Sequence, residues 1–261
     1  MKIAACQVSP IHNDLRHAVS LVASYASDAE RRGARLVCFP ECFLQGYDVR
    51  VEHAAEAAID LTCSKFAHIL QRLEAHEPTI VVGLIERKGR KLYNSAVAIN
   101  HGKVVARYRK THLLEGEKSV FEAGTDYPVF EVDGTKVGMN ICYDLNFSEA
   151  IMAAADAGAE LVACPCNNMM RRRAAEEWKL RHNEIRAERA REGRVWLISS
   201  DVTGDLGERI SYGPTAVISP SGTVVDQVPL MTTGMVVAEI GCASDDLRFD
   251  MAPYDRRTQE G

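Results

Sequence analysis

Apolar and polar residues follow two alternating rhythms along the chain. Residues 3–6 form a short apolar run. Residues 14–32 then carry Leu15, Val19, Val22, Tyr25 and Ala29 three or four positions apart, a helical stripe closed by Gly33. Residues 36–39 are apolar without interruption, as expected of a strand covered on both faces, and end at Pro40. Helical spacing returns over 51–58 and 64–76, and 79–84 reads as a strand. Residues 91–99 and 104–108 flank Asn100-His101-Gly102, while 129–132 and 136–141 flank Asp133-Gly134. Both breaks signal hairpins, the second more strongly because Asp-Gly suits a tight primed turn. A helix over 147–157, a strand over 161–163 and a long polar helix over about 173–192 follow. Strands over 195–199, 216–218, 223–227 and 235–240 close the pattern, with Ser221-Gly222 as a turn. This order predicts a mixed α/β domain with sheets packed on one another and helices outside.

No repeat or Pro/Ser-rich linker divides the chain, so residues 1–261 read as a single domain. Residues 243–261 differ: they are charged and have neither period, yet contain Leu247, Phe249, Met251 and Tyr254. They read either as a frayed tail or as a segment that docks on a neighbouring subunit.

Composition narrows the classes. With 261 residues, 46% hydrophobic, 26% charged and a net charge of −5, the chain is too apolar for disorder and too evenly charged for a polyanion-binding arm. The opening MKIAACQVSP lacks the basic leader and cleavage site of a signal peptide, and no apolar run reaches about 18 residues, so neither secretion nor a membrane span is expected. Eight cysteines are too few for a disulfide scaffold, which points to reduced thiols and a cytoplasmic setting. Cys38 and Cys42, like Cys164 and Cys166, have no histidine at zinc-site spacing, so no metal is expected. The absence of a P-loop or GxGxxG argues against a nucleotide cofactor, and the absence of a basic stripe argues against nucleic acid.

The stretch VGMNICYDLNFSEA, 137–150, carries the most chemistry. An apolar strand ends at Ile141, Cys142 follows, and a helix begins within a few residues, where Asn146 and Glu149 have capping-box spacing. A thiol at such a junction lies at the carboxyl edge of the sheet, where α/β sites usually form, with helix N-terminal amides nearby to favour a thiolate or an oxyanion. Cys142 is therefore a candidate nucleophile, against the alternative of a buried inert thiol. A nucleophilic cysteine needs a base. Among the histidines only His112 lies near a motif-like segment. Glu41 directly after a buried strand, and Lys110 and Glu117 in the loop after another, are better placed, the alternative for all three being surface ion pairs.

Three blocks, FPECFLQGY at 39–47, YRKTHLLEGEKSVFEAG at 108–124 and GMNICYDLNFSEA at 138–150, resemble in content and order the signature blocks of the nitrilase superfamily, the carbon–nitrogen hydrolases. KIAACQVSP, GPTAVISPSGTVV and GMVVAEI extend the resemblance over nearly the whole chain. It implies an αββα four-layer sandwich and a cofactor-free Glu-Lys-Cys catalytic set. By position, Glu41 matches the general base, Lys110 the lysine, Cys142 the nucleophile and Glu117 the second glutamate of many members. It also implies a homodimer or larger homo-oligomer. Tyr47 and Tyr143 fall in the matched blocks, and Asn167 and Asn168 follow the strand after the nucleophile helix, so these four are expected to line the substrate pocket.

The chain departs from the family where Arg and Pro often follow the nucleophile: it has Asn146-Phe147-Ser148-Glu149, which disfavours a carbamoyl-amino-acid hydrolase and leaves Glu149 with a capping role. Arg171, Arg172 and Arg173 read either as a solvated helix start or as a clamp for an anionic substrate. The leading expectation is an amidase that cleaves a linear, non-peptide amide through a thioester. An N-carbamoyl amine hydrolase is the alternative within the family, a nitrilase being less favoured. An idle binding scaffold and a thiol redox protein using Cys164 and Cys166 are alternatives of other classes.

Overall fold

A computed structural model describes residues 1–241. In chain order the strands are β1 Lys2–Gln7, β2 Leu36–Cys38, β3 Ile59–Asp60, β4 Thr79–Lys88, β5 Lys91–Asn100, β6 Lys103–Arg109, β7 Phe130–Val132, β8 Thr135–Met139, β9 Leu161–Pro165, β10 Met170–Arg171, β11 Trp196–Ser200, β12 Gly204–Asp205, β13 Arg209–Ser211, β14 Ala216–Ile218, β15 Val224–Gln227 and β16 Gly234–Glu239. The helices are α1 Leu15–Arg31, α2 Val51–Ala57, α3 Ser64–Leu73, α4 Ser148–Asp156, α5 Arg172–Trp178 and α6 Arg181–Gly193. The first sheet runs β16-β1-β2-β4-β5-β6, with β3 beside β4, and the second runs β15-β14-β11-β9-β8-β7. The middle of each is parallel, β1-β2-β4 and β8-β9-β11.

The alternation along these strands explains the layering. On β1, Ile3 and Ala5 face the second sheet and join Leu36, Val81, Met139, Ala163 and Ile198 in the core between the sheets. Ala4 and Cys6 face the other way and pack with Val19 and Val22 of α1 and Phe66 and Ile69 of α3. On the far side Val162, Cys164 and Leu197 pack with Ile151 of α4 and Ala187 and Ala190 of α6. The order is helix, sheet, sheet, helix, the expected αββα sandwich.

Local chemistry sets the element ends. The Asp14 side chain accepts from the His17 N–H and caps α1, a contact worth about 1 kcal/mol. His101 and Gly102, and Asp133 and Gly134, take positive φ at the two expected hairpins. The helix expected over 147–157 is found as α4, and a 3-10 turn, Cys142–Asn146, precedes it. Two expectations are corrected. Phe147 stands at the start of α4 with no side-chain cap, so the Asn146/Glu149 capping box does not form; Glu149 reaches His112 Nε2 instead, at 3.4 Å. The long helix over 173–192 is two helices, α5 and α6. They meet at Lys179 and the exposed Leu180, a break that turns Trp178 and His182 toward the same cavity. A small sheet, β10-β13-β12, was not visible in the pattern because its strands are two or three residues long. Residues 243–261 lie outside the described residues.

Candidate active site

The first sheet delivers the carboxyl group of Glu41. β2 ends at Cys38, and Phe39, Pro40 and Glu41 turn over its carboxyl end, where the Glu41 N–H donates to the Cys166 carbonyl beyond β9 at 3.1 Å. The turn is pressed onto β4 at Gly83, where a Cβ would lie 2.5 Å from both the Cys42 nitrogen and the Pro40 oxygen. Glycine is required there by space. Lys110 follows β6, and Glu117 lies in the loop beyond. Lys110 Nζ donates to Glu41 Oε1 at 2.7 Å and to Glu117 Oε1 at 2.9 Å, and all three side chains are essentially inaccessible to solvent. They are not a surface ion pair. Asn94, on β5, donates from Nδ2 to the same two oxygens at 2.6 and 3.0 Å.

The second sheet delivers the thiol. Beyond β8 the chain stays beside β9 at Asn140, whose N–H donates to the Ala163 carbonyl at 3.2 Å, and then turns sharply at Cys142 with φ +43°. A left-handed backbone at a non-glycine residue stores strain and lifts the side chain out of the strand, a feature of functional turns. Buried Asp144 ties this turn to the lysine loop. Its Oδ2 accepts from the Ile141 N–H at 2.9 Å and the Tyr108 hydroxyl at 2.7 Å, and its Oδ1 from the His112 N–H at 2.8 Å and the Thr111 N–H at 3.2 Å. His112 bonds Asp144 and stacks on Phe147 at 4.1 Å, which leaves it as a support for the turn rather than as the base.

Glu41 and Cys142 open onto one cavity of about 330 Å³, and the expected pocket residues Tyr47, Tyr143, Asn167 and Asn168 line it too. That volume suits a small molecule. Asn168 is held from behind: its N–H donates to Asp201 Oδ1 at 2.9 Å and its side-chain amide donates to Asp201 Oδ2, leaving Oδ1 3.8 Å from Cys142 Sγ. Asp201 in turn pairs with buried Arg186 at 3.5 Å. Asn94, Asp144, Arg186 and Asp201 escaped the sequence reading. The available signal was a polar residue inside an otherwise apolar run, as at Asn94 in LYNSAVAI.

Arg171, Arg172 and Arg173 are exposed and do not line the cavity. Arg172 is held by Asp205 at 2.5 Å and Arg173 by Glu177 at 3.2 Å, so the expected clamp is not built from them, and the expected helix start is in part strand β10. Arg209, on β13, lines the cavity instead and has no carboxylate within ion-pair distance among the described residues.

Burial pushes the Glu41 carboxyl up to about 7, Lys110 opposing the shift and Glu117 adding to it. Burial alone would pull the Lys110 ammonium down, but Glu41, Cys142 and Glu117 reverse this and hold it well above its ordinary value. A hydrogen bond with Cys166, then burial and the Glu41 charge, push the Cys142 thiol well up. The resting site thus holds a neutral thiol, a carboxyl that titrates near neutrality and a charged lysine.

A four-layer αββα hydrolase with a cavity-lining thiol, a buried carboxyl and a buried lysine is the class these features define. A family model described as carbon-nitrogen hydrolase matches residues 2–244, and the chain belongs to that family. A protein named nitrilase from Pyrococcus abyssi (strain GE5 / Orsay) is 30% identical over 243 residues, 92% of this chain and 89% of that one. An omega-amidase of Homo sapiens is 26% identical over 233 residues, 84% of this chain and 80% of that one. A variant of the amidase from Nesterenkonia sp. AN1, solved with acrylamide added to its active-site cysteine, superposes with a TM-score of 0.81 at 25% identity, covering 96% of this chain and 98% of that one. Among the described residues no helix is long and apolar enough to cross a membrane.

Proposed function

We propose that this carbon–nitrogen hydrolase is an amidase that cleaves short linear amides through a thioester on Cys142. The observation that carries the reading is the buried Lys110 bridging Glu41 and Glu117 beside a cavity that Cys142 and Glu41 share. Glu41 takes the thiol proton as Sγ attacks the amide carbonyl. Lys110 has three N–H donors, and two are occupied by Glu41 and Glu117, so one is left for the tetrahedral oxyanion, with the Tyr143 backbone N–H as its companion. As the C–N bond breaks, Glu41 returns the proton to the leaving amine. Water then attacks the thioester, Glu41 takes its proton, and the C–S bond breaks to release the acid and restore the thiol. Covalent capture at the active-site cysteine of the Nesterenkonia amidase supports the assignment of Cys142.

Most of the other cavity-lining side chains are apolar, with Val49, Leu114, Leu145, Trp178 and Ile185 among them, and Arg209 supplies positive charge at one side. A short acyl chain, with or without an anionic far end, is the substrate class this fits, and the omega-amidase relative supports the anionic form. Assembly as a homo-oligomer belongs to the same reading, and sedimentation at micromolar concentration tests it. The catalytic reading is tested by an ammonia-release screen over aliphatic amides, ω-amides of dicarboxylic acids and carbamoyl compounds. Hydrolysis is expected with the wild type and not with Cys142→Ala or Lys110→Ala, and retained turnover in either folded variant would overturn the mechanism.

A further inference from the structure

Cys142 does not stand alone. The parallel register between β8 and β9 pairs Val137 with Leu161, Gly138 with Val162 and Met139 with Ala163, and the Asn140 N–H still bonds the Ala163 carbonyl. Cys142 and Cys166 each stand three residues beyond the last pair, at the same carboxyl edge of the sheet. Along the ladder itself neighbouring strands lie about 4.8 Å apart, inside the Cα separation of about 4.4 to 6.8 Å that a disulfide spans. Both thiols line the cavity, and Cys142 packs against the cluster that holds Cys164 and Cys166. Cys164 Sγ lies 3.7 Å from Cys166 Sγ, so three thiols are contiguous. The Arg186 guanidinium approaches Cys166 Sγ at 3.4 Å.

We propose that Cys142 and Cys166 form a reversible disulfide when the enzyme meets a hydroperoxide, with Cys166 acting as a resolving thiol that protects the nucleophile. The groups that activate Cys142 toward an amide also activate it toward peroxide: Glu41 takes the thiol proton and Sγ attacks the distal peroxide oxygen. The O–O bond breaks, the sulfur is oxidised to sulfenic acid, and water or an alcohol leaves with the proton. Cys166 sulfur then attacks the sulfenic sulfur, the S–S bond forms, the S–O bond breaks, and the hydroxide takes the Cys166 proton and leaves as water. Arg186 is placed to steady the negative charge on the attacking sulfur. One peroxide has been reduced and two thiols oxidised. A dithiol reductant reverses the change by exchange, whereas a nucleophile without a neighbouring thiol proceeds under further peroxide to sulfinic acid, which thiols do not reverse. Cys164 sits behind Cys166, away from the thiol that peroxide reaches.

The proposal uses Cys142 as the half-buried, base-activated thiol of the amidase reading, so its test includes a readout that does not depend on turnover. Purified full-length protein is treated with hydrogen peroxide, blocked with an alkylating agent, and mapped by peptide mass spectrometry. Activity before and after dithiothreitol is followed in parallel, each variant against its own untreated rate. The expected result for the wild type is loss of the mass of two hydrogens across the Cys142 and Cys166 peptides, with most of the lost activity recovered by dithiothreitol. In Cys166→Ala and Cys166→Ser the expected result is gain of two oxygen masses on Cys142 and a recovered fraction at least several-fold smaller. A disulfide confined to Cys164 and Cys166, or recovery in both Cys166 variants equal to that of the wild type, would overturn it. If the wild type hydrolyses no amide yet forms the Cys142–Cys166 disulfide, the functional reading fails and this inference stands.

Discussion

Replacing Glu117 by Gln removes one negative charge from the Lys110 cluster at nearly constant shape, and its effect is read at Glu41. The Glu41 and Glu117 oxygens lie 2.7 and 2.9 Å from one ammonium nitrogen, which places them about 4 to 5 Å from each other. At an effective dielectric of about 20, two unit charges at about 5 Å repel by ~3 kcal/mol, or about 2 pKa units. Shared hydrogen bonds and relaxation reduce this, so a shift of about 1 to 2 units is expected. Both consequences act downward on Glu41: a like charge is gone, and Lys110 is left to fewer partners. With Glu41 at about 7 in the wild type, its ionised fraction at pH 5 is about one hundredth, and kcat/KM should fall about tenfold per pH unit below neutrality.

In Glu117→Gln the acid limb therefore moves down by about 1 to 2 units, and at pH 5 the variant keeps about ten- to fiftyfold more of its own plateau than the wild type keeps of its own. The plateau itself drops, because Glu117 Oε2 also accepts from the Leu114 N–H at 2.8 Å, a bond an amide nitrogen turned that way cannot accept. The assay is ammonia release at subsaturating amide from pH 5 to 9, with the fold checked by circular dichroism at each pH. An acid limb that stays in place or moves up would show that the two carboxylates are not coupled through Lys110, or that Glu41 is not the base.

Glu41→Gln tests the same charge through stability. The folded Glu41 holds its proton to about 7 against an ordinary 4.5. Its contribution to stability is thus complete below the unfolded value and is lost as pH rises through the folded one. Relative to the wild type, the inactive variant should gain up to ~3 kcal/mol in urea unfolding between pH 5 and 8, and a constant difference would count against the shift. Gly83→Ala forces a Cβ to 2.5 Å from two backbone atoms of the base turn, so a loss of about 2 kcal/mol or more, visible as a lowered Tm, should accompany lost activity; a normal Tm with normal kcat would refute the close packing. Arg209→Gln should lower kcat/KM about tenfold for ω-amides that carry a carboxylate and little for neutral aliphatic amides of equal length. An equal loss on both would remove Arg209 from substrate recognition.

The parts of this site that were legible in the sequence are the ones whose chemistry is concentrated at one position. Glu41 and Cys142 each follow an apolar strand at a break in pattern, and such breaks are where a side chain leaves the sheet. Asn94, Asp144 and Asp201 were illegible for a common reason. Each acts through partners far along the chain: Asn94 is 53 residues from Glu41, Asp144 is 33 from Thr111, and Asp201 is 33 from Asn168. Periodicity reports which face a residue occupies and says nothing about what meets it there. The split of 173–192 into α5 and α6 was hidden similarly, since no Gly or Pro marks it and its consequence is the placement of Trp178 and His182 on a distant cavity wall. Arg171, Arg172 and Arg173 were conspicuous as a charge run, whereas the single Arg209 was not. Their roles divide by available partners, since Arg172 and Arg173 each have a carboxylate close by in the fold.

Glu41 and Lys110 come from one sheet and Cys142 from the other, so the geometry of the proposed site depends on how the two sheets are held in register with each other. Apolar packing between sheets is tolerant of small slips, because dispersion and burial have little directionality. Hydrogen bonds across the junction are not. Ser200 Oγ donates to the Cys38 carbonyl at 2.8 Å and accepts from the Cys6 N–H at 3.2 Å, Asp144 joins the Ile141 N–H to the Thr111 N–H, and the Glu41 N–H meets the Cys166 carbonyl. Each of these joins the carboxyl edge of one sheet to that of the other. Cys166 has an unusual position in this set. Its backbone oxygen holds the Glu41 turn, while its sulfur lines the cavity with Cys142 and meets Arg186. Substitution of its side chain leaves the backbone contact in place and removes the thiol from the cavity wall. For that reason the Cys166 variants separate the thiol's chemistry from the scaffold, and a change at Gly83 or Asp144 would not.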